Sequence, residues 1–155
     1  MKRTFKSDFA TYYNGDPERI PAANLPAIVI AQNNASVEPA AFHQDDVTDE
    51  VVIKLILNKQ DDYTGEVDPL NLTEKKLRDF VGARNAQTGQ YLDKTVLGAL
   101  RKYGTQGITA IAEQVSVEYG ILPRSFDTDG LPDLITAEAH VTFAIQYPVD
   151  NVEQP

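Results

Sequence analysis

The sequence predicts an α+β fold, in which two α-helices pack on one face of an antiparallel or mixed β-sheet. Three segments have apolar residues at every second position, which is the period of a half-buried strand. Two other segments have apolar residues at helical spacing and end in turn residues. The order is strands, then two helices, then strands, which lacks the strand–helix alternation typical of a parallel sheet.

The first half of the chain predicts two strands and a hairpin. An apolar run over residues 27–32 predicts a buried strand, with Pro26 tolerable at its start. Alternation over residues 47–57 predicts the second strand. The intervening residues 33–46 are polar around a small apolar patch, and we expect them to form a mobile, irregular hairpin tip. Residues 1–13 are expected to form an N-terminal arm or a short strand.

The middle of the chain predicts a loop and both helices. The polar residues 59–66 are expected to form an exposed loop. Asn71 is a candidate N-cap of the first helix, whose pattern ends from Gly82 onward. Asp93 is the candidate N-cap of the second helix, and Gly104 supplies the residue that ends it.

The last third predicts two more strands. Residues 108–119 alternate and are followed by a connection over residues 120–134, which is too long for a tight hairpin. Residues 137–147 give the cleanest alternation in the chain, and Pro148 is expected to end that strand. Residues 149–155 are expected to be a disordered tail.

The length and the apolar runs bound the class of protein. The 155 residues suffice for one core, and no linker is long enough to divide two, so residues 1–155 are expected to form a single domain. No apolar run approaches the roughly 20 residues that cross a bilayer. The positive start of the chain is not followed by the apolar segment of a secretory signal, so a cytoplasmic site of synthesis and folding is expected.

The composition also limits the chemistry. The absence of cysteine and the presence of only two histidines exclude disulfides and the common zinc sites. Fourteen basic residues against 23 acidic ones give a net charge of −9, which disfavours tight nucleic-acid binding. An acidic wall would instead let nucleic acid pass beside it without trapping the phosphates. We expect no cofactor.

Acidic residues gather in two places. One group comprises Asp45, Asp46, Asp49 and Glu50. It is typical of a solvated strand edge, although carboxylates placed like these can also hold calcium or magnesium. The other group, Asp127, Asp129 and Asp133 around Gly130, superficially resembles a calcium loop but lacks the distal glutamate. An ordinary polar turn is the simpler interpretation of that second group.

His140 is the one candidate general base. Glu138 lies two residues earlier on the same predicted strand, so the two side chains share a face and the carboxylate could orient the imidazole. No nucleophile elbow or phosphate-binding glycine loop accompanies them. A small hydrolase or metal-dependent enzyme therefore remains the less favoured class, and a structural protein the favoured one.

Basic and aromatic residues suggest contacts between copies of the chain. Arg78, Arg84, Arg101 and Lys102 lie on the polar faces of the predicted helices. They can serve solubility and helix-end electrostatics, or they can meet the acidic loops of a neighbouring subunit in a closed ring. Phe42 and Tyr63 in polar loops are further candidate contacts with a subunit or partner.

Two stretches resemble the tail-terminator proteins of long-tailed bacteriophages. The first is ATYYNGDP at residues 10–17, followed by an irregular run and by LPAIVI at residues 25–30. These are similar to the aromatic pair, turn and proline-led first core strand of that family. The second is TAEAHVTFAIQY at residues 136–147, which resembles the family's final strand. The family commonly opens with an amphipathic helix, for which this chain offers only residues 1–8.

The resemblance implies a ring, usually a hexamer, that caps the completed tail tube and offers a docking surface for the head. The implied partners are other copies of the chain, the tail-tube protein and a head-completion or connector protein. DNA would pass without specific binding through a bore to which the acidic group around Asp45 contributes, and no membrane would be involved. The implied location is the tail or neck of the virion, with assembly in the host cytoplasm. A head-to-tail connector or a tail-tube subunit is the alternative.

Overall fold

A computed structural model describes residues 1–17, 19–41, 43–63, 72–103, 110–124 and 134–150. The strands are β1 (Thr11–Asn14), β2 (Ala27–Ala41), β3 (Gln44–Asn58), β4 (Ala110–Arg124) and β5 (Leu134–Asp150). The helices are α1 (Lys2–Phe5), α2 (Thr73–Gly82) and α3 (Val96–Tyr103), with 3₁₀ turns at Ala22–Asn24 and Lys59–Tyr63. Several predictions fall on residues outside these ranges, namely those for Phe42, Asn71, Gly104, the aspartates at 127, 129 and 133, and residues 151–155.

The five strands form one mixed sheet in the order β1-β2-β3-β5-β4. Only the short β1 runs parallel to its neighbour β2, and every other pair is antiparallel. The register places the odd-numbered residues of β3 and β5 on one face and the even-numbered residues on the other. The α+β fold class predicted from the sequence is confirmed.

The odd-numbered face carries the main core, and both longer helices pack on it. Ile53 and Leu55 of β3 and the alternating apolar residues of β5 cluster there with Leu77 of α2 and Val96 of α3. The spacing of these helical residues gives each helix one apolar stripe, which is buried against the sheet. We call this the helix face of the sheet.

The opposite face has a smaller apolar cluster. Val29 of β2 and Val52 and Ile56 of β3 pack there against Ile20, which comes from the irregular segment between β1 and β2. Leu25 from the same segment packs against this cluster. The segment therefore covers the β2–β3 half of this face, and polar residues of β5 occupy the other half.

The N-terminus is packed, and the prediction of a loose arm is wrong. The single turn α1 and the loop after it place Phe5 and Phe9 in the main core, with their ring centroids 5.4 Å apart in an edge-to-face arrangement. Phe80 of α2 lies 5.7 Å from Phe5. The short strand that the sequence also allowed is present as β1, and it ends at Asn14.

The predicted irregular hairpin tip is also wrong, because residues 33–41 and 44–46 continue the two strands. The pairing of β2 with β3 extends from Ile56 opposite Ala27 to Gln44 opposite Ala41, interrupted by a bulge between Gln32 and Asn34. The sequence pattern failed here because both faces of this stretch are largely exposed, so no apolar alternation marks it.

α2 is capped from the preceding turn, and α3 begins on a cap other than the predicted Asp93. The side chain of Asp62, from the 3₁₀ turn before the helix, accepts hydrogen bonds from the Thr73 amide (2.9 Å) and hydroxyl (2.9 Å). Residues 59–63 thus form a turn that caps α2, which corrects the predicted exposed loop. The hydroxyl of Thr95 accepts from the Gly98 amide (2.9 Å) and caps α3, whereas Asp93 pairs with Lys102 at 2.6 Å.

The last two strands are longer than predicted. β4 continues through Gly120 and Pro123 into the expected connection, and Pro123 is tolerated because β4 is an edge strand. β5 passes Pro148, so neither Pro148 nor the expected tail at residue 149 ends it. Pro148 lies beyond the last β5 residue that faces β4, where a proline interrupts one ladder at most. Within the described residues no helix has the length and apolar character of a membrane span.

Candidate functional site

β2, β3 and β5 continue past the helices as an arm, which β4 flanks only where Ala110 and Ile111 pair with Gln146 and Ile145. We define the arm as residues 33–41, 44–50 and 144–150. Its cross-strand rows include Ala35–Asp49–Ile145, Val37–Val47–Tyr147 and Pro39–Asp45–Val149. Because these residues are odd-numbered on β3 and β5, they continue the helix face past the helices.

The two faces of the arm differ in chemistry. The helix face of the arm carries the apolar rows, and Val37 in the middle row is 59% exposed. The opposite face carries the row Ser36–Thr48–Gln146 and the acids Glu38, Asp46 and Glu50. From residue 27 to residue 53 the chain has five acidic residues and no lysine or arginine. One face of the arm is therefore apolar with interspersed acids, and the other is polar and acidic.

The structure divides the four acidic residues of the sequence prediction between the two faces. Asp45 and Asp49 lie on the apolar face, and Asp46 and Glu50 lie on the polar face. Asp49 accepts hydrogen bonds from the side-chain amide of Gln32 (2.8 Å) and from the Tyr147 hydroxyl (2.7 Å). The hydrogen bond to Asp49 raises the pKa of Tyr147. Glu50 accepts from Asn33 at 3.2 Å. No three acidic or histidine residues in the described part of the chain are placed to hold a metal ion.

The predicted basic contacts occupy separate positions around the helices. Arg84 donates to the Tyr91 hydroxyl at 2.9 Å and lies over the Tyr91 ring, 4.7 Å from its centroid. Arg101 and Lys102 are exposed in the last turn of α3. Tyr63 is exposed at the end of the 3₁₀ turn Lys59–Tyr63. These positions are spread over the helix layer, and Arg78 lies apart from them in a groove beside β4.

This groove, which we call the α2–β4 groove, has a volume of about 370 Å³. Its walls are Glu74, Leu77 and Arg78 from α2, Tyr119, Gly120 and Ile121 from β4, and Glu138 from β5. Tyr119 and Ile121 are 48% and 52% exposed, which is high for apolar side chains beside a core. The Arg78 guanidinium lies 5.9 Å from the centre of the Tyr119 ring, within the range of a cation–π contact. The groove thus combines an exposed apolar floor with a cation.

A buried ionic cluster lies on the opposite face of the sheet. Glu138 of β5 is 1% exposed, and Arg124 of β4 donates to both of its oxygens, from Nε at 2.6 Å and from Nη2 at 2.8 Å. The Thr136 hydroxyl donates to the same carboxylate at 2.7 Å, and His140 Nε2 lies 2.9 Å from it. The predicted contact between His140 and Glu138 is therefore present.

The electrostatics of this cluster are those of a saturated carboxylate. Burial by itself would raise the pKa of Glu138, but the hydrogen bonds from His140, Arg124 and Thr136 outweigh it and lower the pKa to about 2. The same ion pair raises the pKa of Arg124. A carboxylate that stays ionised and fully hydrogen-bonded at neutral pH is a poor proton acceptor. The arrangement suits the structural joining of β4 to β5.

Arg124 is the member of this cluster that sequence reasoning missed, because it falls in the stretch interpreted as a connection. The odd positions 117, 119 and 121 remain apolar, so continuing the alternation past Gly120 would have placed residue 124 on the same face as Glu138. The strand was predicted to end at residue 119 because Gly120 and Pro123 are residue types that usually mark turns.

The comparisons with known proteins add no family assignment: no known family's sequence model matches this chain, and no curated protein matches it.

Proposed function

We propose that the chain is a structural subunit of a bacteriophage tail, namely a tail terminator whose copies form a ring that caps the completed tail tube. The arm is the observation that carries this proposal. Three strands extend past the helix-covered core and hold apolar side chains such as Val37 in solvent. The resemblance of residues 10–30 and 136–147 to that family supplies the identity of the assembly.

The arm supports an assembly role because its features are unfavourable in an isolated subunit. Beyond β1, whose last partner on β2 is Ile30, the outer edge of β2 has no neighbouring strand among the described residues. Long open edges and exposed apolar rows promote association with other chains. A subunit that completes its surface with neighbouring copies gives these features a use.

The charge distribution fits a channel for DNA. Asp46 and Glu50 lie on the polar face of the arm, and the chain as a whole has a net charge of −9. An acidic bore repels phosphates, so DNA slides through it without being retained. The proposed partners are further copies of the chain in a hexamer, the tail-tube protein, and a head-completion or connector protein. The proposed location is the virion tail or neck after assembly in the host cytoplasm.

The buried ionic cluster has a structural use. The carboxylate that contacts His140 also pairs with Arg124 and Thr136, and its low pKa keeps it ionised, so it joins β4 to β5. The proposed mechanism is assembly by binding, which needs no cofactor.

Light scattering coupled to gel filtration, followed by negative-stain microscopy, tests the proposal. We expect closed rings of six subunits that bind to the ends of purified tail tubes and stop their growth. A connector would bind the head vertex instead, and a tube subunit would polymerise into long tubes, so those outcomes would replace the terminator by the alternative role. A monomer that neither self-associates at high concentration nor binds tube ends would contradict the whole proposal.

A further inference from the structure

We propose that the apolar face of the arm docks into the α2–β4 groove of a second copy of this chain. The inference rests on the proposed self-assembly and names the two surfaces that join one subunit to the next. The arm provides the row Val37–Val47–Tyr147, flanked by Asp45 and Asp49. The groove provides Leu77, Tyr119 and Ile121 with Arg78 at its rim.

The apolar surfaces are complementary in kind. Val37 is 59% exposed on the arm, and Tyr119 and Ile121 are about half exposed in the groove. Each surface leaves these side chains in water in the single chain. Contact between the two surfaces would remove them from water together, at roughly 25 cal/mol for each Å² buried. Aromatic and arginine residues such as Tyr119 and Arg78 are also the types enriched at interface centres.

The charges are complementary in sign. The docking face of the arm carries Asp45 and Asp49, and the arm has no lysine or arginine. At the groove, Arg78 lies over the Tyr119 ring, Glu74 shares Lys59 with Asp62, and Glu138 is paired with Arg124. Arg78 is therefore the cation of the groove that Asp45 or Asp49 of an incoming arm can meet. Opposite charges across an interface guide docking and fix its register.

The position of the two surfaces makes the contact intermolecular. β5 passes the groove near Glu138 and reaches the arm at Tyr147, nine residues later. At about 3.3 Å per strand residue this separation is roughly 30 Å along a continuous strand. The arm therefore cannot fold back into its own groove. An arm that enters the groove of the next copy makes a head-to-tail contact, and such contacts close into rings when the rotation between subunits allows it.

A matched pair of arm variants tests the face that docks. Val37→Asp and Ser36→Asp add the same charge at neighbouring exposed positions on opposite faces of the arm. We expect Val37→Asp to raise the concentration needed for half assembly at least about tenfold, because a charge would enter an apolar contact. Ser36→Asp should leave that concentration within about twofold of the unsubstituted chain. Circular dichroism verifies that both variants are folded.

A charge exchange tests the partner surface. Arg78→Glu reverses the groove, and Asp45→Arg reverses one acid of the arm face. Each variant alone should assemble poorly. An equimolar mixture should recover assembly, because in a head-to-tail contact the reversed arm of one variant meets the reversed groove of the other while the unchanged arm meets the unchanged groove.

The outcomes separate this inference from the proposed function. Loss of assembly in Val37→Asp and Arg78→Glu, with recovery in the mixture, supports the docking. If the unsubstituted chain assembles and Val37→Asp and Arg78→Glu assemble equally well, the docking is overturned and the ring proposal stands. An unsubstituted chain that stays monomeric in all conditions overturns both. Equal loss in Val37→Asp and Ser36→Asp shows that the whole arm, rather than this face, is required, and overturns the assignment of the groove.

Discussion

Replacement of Arg124 by methionine tests the buried ionic cluster most directly, because methionine has a similar length and no charge. The change removes both hydrogen bonds from the guanidinium to Glu138, at 2.6 and 2.8 Å. Thr136 and His140 still contact the carboxylate. Breaking a buried pair by removing one partner costs about 3–5 kcal/mol. Since two polar partners remain, we expect a loss of about 3 kcal/mol.

The double variant Arg124→Met/Glu138→Leu provides the contrast. It removes the carboxylate together with its partner, so no buried charge remains uncompensated, and Thr136 keeps a hydrogen bond to the Leu122 carbonyl at 3.2 Å. Replacing a whole buried pair by apolar residues is often neutral. We expect the double variant to recover all but about 1 kcal/mol of the free energy of unfolding.

Urea denaturation at pH 7, followed by far-ultraviolet circular dichroism, measures both variants. The Val37→Asp background should be used, because assembly adds a concentration-dependent stability to the folded state. A loss of about 3 kcal/mol corresponds to a fall in Tm of roughly 6–12 °C for a chain of this size. A loss below about 1 kcal/mol in Arg124→Met, or an equal loss in the double variant, would refute the interpretation of Glu138 as a charge that depends on Arg124.

Three further changes have defined outcomes. Acidification from about pH 4.5 to about pH 2 should lower the free energy of unfolding by about 3 kcal/mol in total, because Glu138 takes up a proton in the unfolded chain at a higher pH than in the folded chain. Urea denaturations at a series of pH values measure this loss, and Glu138→Gln should make it smaller. Asp62→Ala should cost about 1–2 kcal/mol through loss of the cap on Thr73, whereas Asp62→Asn, which keeps an acceptor oxygen, should cost less in the same assay. Gly98→Ala should lower Tm although alanine favours helices, because a Cβ atom there would lie 2.1 Å from the Leu92 carbonyl oxygen; an unchanged or raised Tm would show that the turn before α3 can shift.

The elements that could be predicted from the sequence are those with one buried face. The alternation over residues 47–57 and 137–147 is confirmed as β3 and β5, and the stripes of α2 and α3 pack on the sheet as expected. In these segments burial imposes a period on the side chains, and the period is visible in the sequence. The order of the elements was then enough to predict the class of fold.

The arm could not be predicted for the same reason. Residues 33–40 are exposed on both faces, so their sequence carries no period, and Pro39 argued against a strand. Their strand structure comes from pairing with β3, whose own far side is paired with β5. This is tertiary context that a local pattern does not contain.

The candidate sites were predicted in part. The contact between His140 and Glu138 followed from their spacing on a strand, but Arg124 lies on another strand, and only the register of β4 with β5 brings it to Glu138. The cap of α2 is similarly remote in sequence. Its acceptor, Asp62, precedes Thr73 by 11 residues, whereas a usual N-cap residue directly precedes the helix. Spacing along one element is readable from a sequence, whereas proximity between elements requires the register.

The position of β5 between β3 and β4 also governs how the chain can fold as it is synthesised. β2 and β3 are adjacent in sequence and can pair early, but the other edge of β3 waits for β5, whose residues 136 and 150 pair with residues 58 and 44. Contacts between such distant residues close large loops and slow the folding step. The backbone N–H and C=O groups along this edge of β3 therefore stay unpaired until residues 134–150 have left the ribosome, and an unpaired strand edge exposed during that interval favours aggregation.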